Sequence, residues 1–234
     1  MPADLASKAE TLASDNQAEL AYQLIEDMIV LLELEPGTRV TEAMLAKRLG
    51  LGRTPIREAL LRLAQDGLLI WLPRRGMVVR DINFSAQMKV FEVRKALQLV
   101  LVTTAARRRT RAEAEAITEV VEGFRALLTQ GADEEIMRQD RKFIRMLLDA
   151  SRNPFLGQII PLYSLSSRFA HAHHELYANR FRYGTLTNFH IAIGEAVAAG
   201  DENLALHRVN EFMDFVEEFT VYIGKELSDQ DHSR

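Results

Sequence analysis

Apolar positions follow two different rhythms along this chain, and the change of rhythm marks its organisation. In the stretch 45–67, Ile56, Leu60 and Leu63, with Ala59 beside them, recur at i, i+3/i+4 and i+7, the spacing of one buried helical stripe. A preceding run from Leu45 to Leu49 is joined to it through Gly50-Leu51-Gly52, so the pattern predicts two helices linked by a tight glycine turn. Thr54 is placed to cap the second helix and Pro55 to occupy its first turn. Gly67 is placed to end it. Leu68 to Leu72 and Gly76 to Val79 are then two short β-prone runs separated by Pro73-Arg74-Arg75, which predicts a small hairpin with a basic tip.

From about Phe84 onward the rhythm is helical throughout. Segments fall at roughly 84–109, 111–129, 133–150, 154–178 with a break, 183–199 and 202–226. Their ends carry matching signals: Thr110 with Glu113 as a capping box, Asn153-Pro154 as a start, and Gly200-Asp201 as a stop followed by a start. The expected fold is mostly α: a winged helix-turn-helix with a β-hairpin wing, then an all-α antiparallel bundle with room for a pocket between helices. The expected divisions are a loose arm over 1–16, a winged helix over 17–81, a helical domain over 82–228 that binds effector and dimerises, and a tail over 229–234.

Charge sharpens this picture once it is divided. The 234-residue chain carries a net charge of −4, which alone argues against nucleic acid. Between Pro36 and Arg80, however, nine Lys or Arg face three acids, a local +6 that leaves −10 for the remainder. A basic module is joined to an acidic one. Arg53 and Arg57 lie outside the apolar stripe, as two unpaired cations at the end of the helix whose free N–H groups already favour phosphate. Arg74 and Arg75 at the hairpin tip offer charge to phosphates or a narrow minor groove, and Gly76 lets the backbone approach closely. For Lys47, Arg48 and Arg62 a solvated face is an equal alternative, Arg62 with Glu58 as its i, i+4 partner.

The residues from about Tyr22 to Val79 that carry Pro36-Gly37, Leu45-Ala46, Arg53-Thr54-Pro55-Ile56-Arg57-Glu58-Ala59-Leu60 and Gly67-Leu68 resemble the winged-helix domain of GntR-type transcriptional regulators. The resemblance implies that Arg53, Thr54 and Arg57 meet operator phosphates and bases, with Arg74, Arg75 and Gly76 forming the wing. Gly52 departs from the Ser or Thr usual in that family, and Ala43 stands where many members have arginine.

The stretch of about 84–226 resembles the FCD ligand-binding domain of the FadR branch, through Asp140-x-x-Phe143, Asn153-Pro154-x-Leu156, Phe189-His190 with Ala192-Ile193, and Gly200-Asp201 with Ala205. That resemblance implies a small organic acid or related metabolite as effector, often held through zinc or nickel by one Asp and three His. Here Asp140 and His190 remain, while Ile144 and Phe212 stand where the other two histidines are expected, so no family-type metal site is predicted. His171, His174 and His207 are the alternatives for rebuilding one, set against surface or hydrogen-bonded roles.

Arg94 matches an arginine near the family's pocket, and the usual glutamate four residues on is Gln98. This frees Arg94 to fork a ligand carboxylate or to pair elsewhere. The effector candidates are therefore Arg94, Asp140, His190, Ile144, Phe212 and Arg168. The arginines of 107–111 read as a solvated helix end.

The functional expectation is a cytoplasmic, ligand-responsive regulator, a repressor in the family's common arrangement, that binds a palindromic operator as a homodimer and needs no cofactor. The chain has no cysteine and no long apolar run for a membrane helix. The alternatives are a helical-domain enzyme using Asp140 and His190 as acid and base, and a regulator whose empty second domain only dimerises.

Overall fold

In a computed structural model, the backbone is described for residues 2–177 and 183–232 and the side chains for 16–175 and 184–229. The chain divides into two compact units, Met1–Ile82 and Asn83–Arg234.

The first unit contains α1 (Pro2–Val30), α2 (Glu42–Leu49), α3 (Arg53–Gln65) and an antiparallel hairpin of β1 (Leu69–Leu72) and β2 (Gly76–Val79). Most of the segment expected as a loose arm is part of α1, whose opening is rich in Ala, Leu and Glu and has no glycine. Met1 lies outside the described residues. α1 packs along α3. Tyr22, Ile25 and Ile29 of α1 are buried with Leu45 of α2, Ile56, Leu60 and Leu63 of α3, and Leu69, Val78 and Val79 of the hairpin. Three helices and a hairpin thus share one small core. The hairpin register runs from Leu69↔Val79 to Leu72↔Gly76, and residues 38–40 extend the sheet: Val40 N–H donates to the Met77 carbonyl (3.0 Å) and Val79 N–H to that of Thr38 (2.9 Å).

The start of α3 differs from expectation. Gly52 is the N-cap and makes no side-chain cap bond, so Thr54 is the second helical residue and Pro55 the third. Proline fits there because the first four N–H groups of a helix have no intrahelical acceptor. The preceding turn is made by Gly50, which ends α2 at φ +68°.

The second unit holds α4 (Phe84–Arg108), α5 (Arg111–Gln130), α6 (Asp133–Ser151), a 3₁₀ turn (Pro154–Gln158), α7 (Ile159–Ala172), α8 (His174–Tyr177), α9 (Tyr183–Ala199) and α10 (Glu202–His232). The expected end of a helical run at 178 and the last two residues of the expected tail lie outside the described residues. The rest of that tail continues α10. The capping box forms as expected: Thr110 Oγ1 accepts from Glu113 N–H, and the Glu113 carboxylate accepts from Thr110 N–H at 2.7 Å. Short links keep successive helices in contact, α5 with α6 and α9 with α10, while α4 lies against α6, α7, α9 and α10. Phe124, Phe143, Leu147, Ile159, Val209 and Phe212 belong to the core they enclose.

The arginines of 107–111 are corrected by this packing. Arg108 donates to the Ser151 carbonyl at the end of α6 (2.7 Å) and Arg109 to the Ala198 carbonyl near the end of α9 (2.9 Å). These two are not a solvated turn. They cap the C-termini of neighbouring helices, where free carbonyls and the helix dipole favour a cation. Arg107 pairs with Glu202 and Arg111 with Glu115 at exposed positions.

Candidate nucleic-acid interface and effector cavity

In the first unit, Arg53, Thr54 and Arg57 are all solvent-facing on the first turns of α3, while Pro55, Ile56 and Ala59 of the same turns are buried. The helix therefore presents its positive end with three polar side chains outward. Arg57 is not unpaired: its Nε lies 3.8 Å from Glu42 Oε1, and the side chains are 60% and 40% exposed, so solvent leaves the pair weak and easily exchanged for a phosphate.

Arg62, expected to meet Glu58, instead pairs with Glu19 of α1 at 2.9 Å and lies over the Tyr22 ring (4.4 Å). Tyr22 in turn donates to Asp66 (2.8 Å). Arg62 is thus a clasp between α1 and α3. Arg48 pairs with Glu33.

The wing tip holds its arginines in a specific turn. Arg75 N–H donates to the Leu72 carbonyl (3.2 Å), Pro73 occupies the first corner, and Arg74 occupies the second at φ +66°. That is a type II turn, whose second corner ordinarily takes glycine or asparagine. Gly76 follows at φ +77°. Arg74 and Arg75 are both exposed, as is Trp71, the chain's single tryptophan, at 72%.

In the second unit, a cavity of about 50 Å³ opens among α4, α6, α7, α9 and α10. Of the six effector candidates, Arg94, Asp140, His190 and Phe212 line it, and Ile144 and Arg168 do not. Ile144, one turn beyond Asp140, is rotated away beside Ile160 on the far side of Tyr163. Arg168 is 2% exposed and lies outside the cavity wall, although its neighbours Ser167 and Phe169 belong to it. Gln87 and Tyr163 also line the cavity without having been anticipated. Gln87 stands two turns before Arg94 on one face of α4, a spacing that could have marked it. Tyr163 carries no comparable signal.

Arg94 is 4% exposed and stacks over the rings of Tyr163 (4.4 Å) and Phe212 (5.6 Å). Its Nε has no hydrogen-bond partner among the described residues. Burial pushes its guanidinium below the usual range, with Tyr163 and Asp140 pulling it partly back. Burial above all, with the Asp140 charge, raises the Tyr163 phenol well above its ordinary value, so it keeps its proton. Tyr163 Oη lies 3.3 Å from His190 Nε2. On the other side of the ring, His190 Nδ1 is 2.8 Å from Asp140 Oδ1, yet neither atom completes an aligned hydrogen bond. The two are close enough for electrostatic attraction, while the N–H direction misses the carboxylate.

This donor set does not fit a metal. Asp140 and His190 face each other, Phe212 packs its ring against His190 (4.8 Å between centroids), and Ile144 supplies no donor. His171 and His174 stack on one another at the end of α7, and His207 pairs with Glu211 on the surface of α10. Among the described residues no three His, Cys, Asp or Glu come together as a metal cluster.

Family models agree with both halves of this geometry. Residues 17–79 match "Bacterial regulatory proteins, gntR family", and residues 89–215, more than half the chain, match the FCD domain. The chain belongs to the gntR family of bacterial regulatory proteins and carries an FCD domain.

Relatives at the sequence level are transcriptional regulators. The uncharacterized HTH-type regulator YdhC of Bacillus subtilis is 29% identical over 140 residues, 59% of this chain and 62% of the relative. The HTH-type regulator McbR of Escherichia coli is 29% identical over 127 residues, 54% and 58%. The matched stretch thus spans about three fifths of each relative's length. The solved structure of E. coli McbR/YncC shares the fold, with a TM-score of 0.70 at 20% identity over 90% of this chain and 98% of that one. A GntR regulator from Rhodococcus sp. RHA1 does so at 0.65 and 18% identity, over 88% and 98%. These regulators are not enzymes, which sets aside the acid–base reading of Asp140 and His190. Among the described residues no helix is long and apolar enough to cross a membrane.

Proposed function

We propose that this gntR-family regulator binds a two-fold symmetric operator as a homodimer, through α3 and the β1–β2 wing of each copy, and releases or tightens that grip when a small carboxylate enters the cavity beside Arg94. The observation that carries the DNA reading is the pairing of an outward, phosphate-ready end of α3 with a wing that holds Arg74 in a costly turn position. One winged helix reaches few base pairs, and a second copy extends the site across a second half-site. The ligand reading rests on Arg94, a buried guanidinium lining a cavity with its Nε unbonded, where a carboxylate supplies the missing acceptors.

Repression relieved by the ligand is the expected arrangement in a cytoplasmic regulator. Operator affinity then changes by the ratio of the ligand's affinities for the free and DNA-bound arrangements. Fluorescence anisotropy on DNA from upstream of the chain's own gene tests the proposal. Sequence-selective binding that weakens steeply with salt, and that Arg57→Ala reduces, is expected. Salt-independent binding or none refutes it. Light scattering of the free and DNA-bound protein tests the dimer.

A further inference from the structure

We infer that the cavity of the helical unit takes a zwitterionic α-amino acid with a small aliphatic side chain, an inference that rests on the carboxylate reading of Arg94 and narrows it. Two opposite charges line the same cavity. Arg94 comes from α4 and Asp140 from α6; both are at least nine-tenths buried, and neither Arg94 Nε nor Asp140 Oδ1 has a hydrogen-bond partner among the described residues.

His190 does not cancel the aspartate. Tyr163 retains its proton and lies within reach of Nε2, so the ring carries its own proton on Nδ1 as a neutral imidazole, with that N–H directed off the carboxylate. The cavity is therefore neutral in sum and charged at both ends.

A simple carboxylate adds a second anion to a space where Asp140 already draws on the Arg94 charge. A ligand that is itself neutral in sum, with a carboxylate for Arg94 and an ammonium for Asp140, pairs both buried charges at once. The remaining wall is apolar, with Met137, Leu186, Phe215, Val216 and Phe219, and nearby polar side chains are engaged: Gln87 donates to Ser166 (3.3 Å) and Thr220 to the Val216 carbonyl (2.8 Å). The side chain is accordingly aliphatic. At about 50 Å³ the space is a third of the ~150 Å³ that holds benzene, so the side chain runs from that of alanine to that of valine.

Calorimetric titration of the full chain with alanine, 2-aminobutyrate and valine, against propionate, butyrate and isovalerate and the matching 2-hydroxy acids, tests this. The amino acids bind about ten-fold or more tightly than their partners lacking the amino group, the scale of a hydrogen bond to a charged group. Asp140→Asn reverses the order, weakening the amino acids and strengthening the 2-hydroxy acids, a gain that an unfolded variant cannot produce. Arg94→Gln weakens every ligand. Tighter or equal binding of the simple carboxylates by the unaltered chain overturns the zwitterion while leaving the Arg94 reading standing. Absence of binding by all of them overturns both.

Discussion

Arg74 allows the wing to be tested in two opposite directions with one substitution. It occupies the second corner of a type II turn at φ +66°, closed by the 3.2 Å bond from Arg75 N–H to the Leu72 carbonyl. A residue with a β-carbon costs about 1–2 kcal/mol in the left-handed region, and asparagine visits that region more readily than arginine. Arg74→Asn should therefore stabilise the N-terminal unit by about 0.5–1 kcal/mol, a gain of about 0.3–0.5 M in urea midpoint for a small unit. Trp71 reports this unit selectively, because it is the chain's single tryptophan and lies on β1. The same change removes a cation from the wing of each copy. With about 0.9 lost from the salt slope per phosphate contact, a dimer loses about 1.8, so the wild-type advantage in operator affinity shrinks about twelve-fold between about 50 and about 200 mM salt. Urea titration followed by tryptophan fluorescence and anisotropy at four salt concentrations give both numbers. A less stable variant refutes the strain argument, and an unchanged slope refutes phosphate contact by Arg74.

Three further outcomes follow from other parts of the molecule. Glu42→Gln removes the acid 3.8 Å from Arg57; because that pair is exposed, stability should change by less than about 1 kcal/mol while DNA affinity at low salt rises, and unchanged or weaker anisotropy binding counts against Arg57 as a contact. Gly200→Ala should cost about 2–4 kcal/mol in denaturant unfolding, since Gly200 sits at φ +76° and its new β-carbon falls 2.3 Å from Arg109 Nη2, displacing the cap on α9; a loss under about 1 kcal/mol shows that the arginine moves aside freely. Glu113 is held at about 2, first by the two-pronged Arg152 contact (2.8 and 2.9 Å) and then by Thr110. A carboxylate depressed from its unfolded value of 4.5 lends stability that is complete above about pH 5 and disappears as pH falls toward about 2, so the melting temperature should drop over that window and Glu113→Gln should flatten the drop.

The parts of this fold that sequence reveals are those decided locally. The turn at Gly50, the capping box at Thr110 and the hairpin around Pro73 each depend on residues within a few positions of one another, and each is where the spacing puts it. The start of α3 was misplaced because two local rules competed there: Thr54 is a good cap and Pro55 a good first residue, but proline is tolerated throughout the first turn and Gly52 begins the helix without a side-chain bond. Arg62, Arg108 and Arg109 were misjudged for a different reason. Their partners are Glu19, the Ser151 carbonyl and the Ala198 carbonyl, the last 89 residues distant, and periodicity within one helix carries no information about acceptors on another.

The cavity combines both kinds of information. Resemblance to the FCD pattern singled out Asp140, His190, Arg94 and Phe212, all of which line it, because a family motif records a tertiary arrangement that single-chain periodicity lacks. The same pattern also nominated Ile144, and there it failed for a physical reason. A histidine reaches a metal across a gap, whereas an isoleucine at that position is drawn into the core beside Ile160, where it is 1% exposed. With an imidazole also absent at Phe212, Asp140 lacks a donor set to complete and stands against neutral His190, its charge still present. That residual charge, opposite Arg94 across a small apolar space, argues that the departures at 144 and 212 accompany a different ligand chemistry.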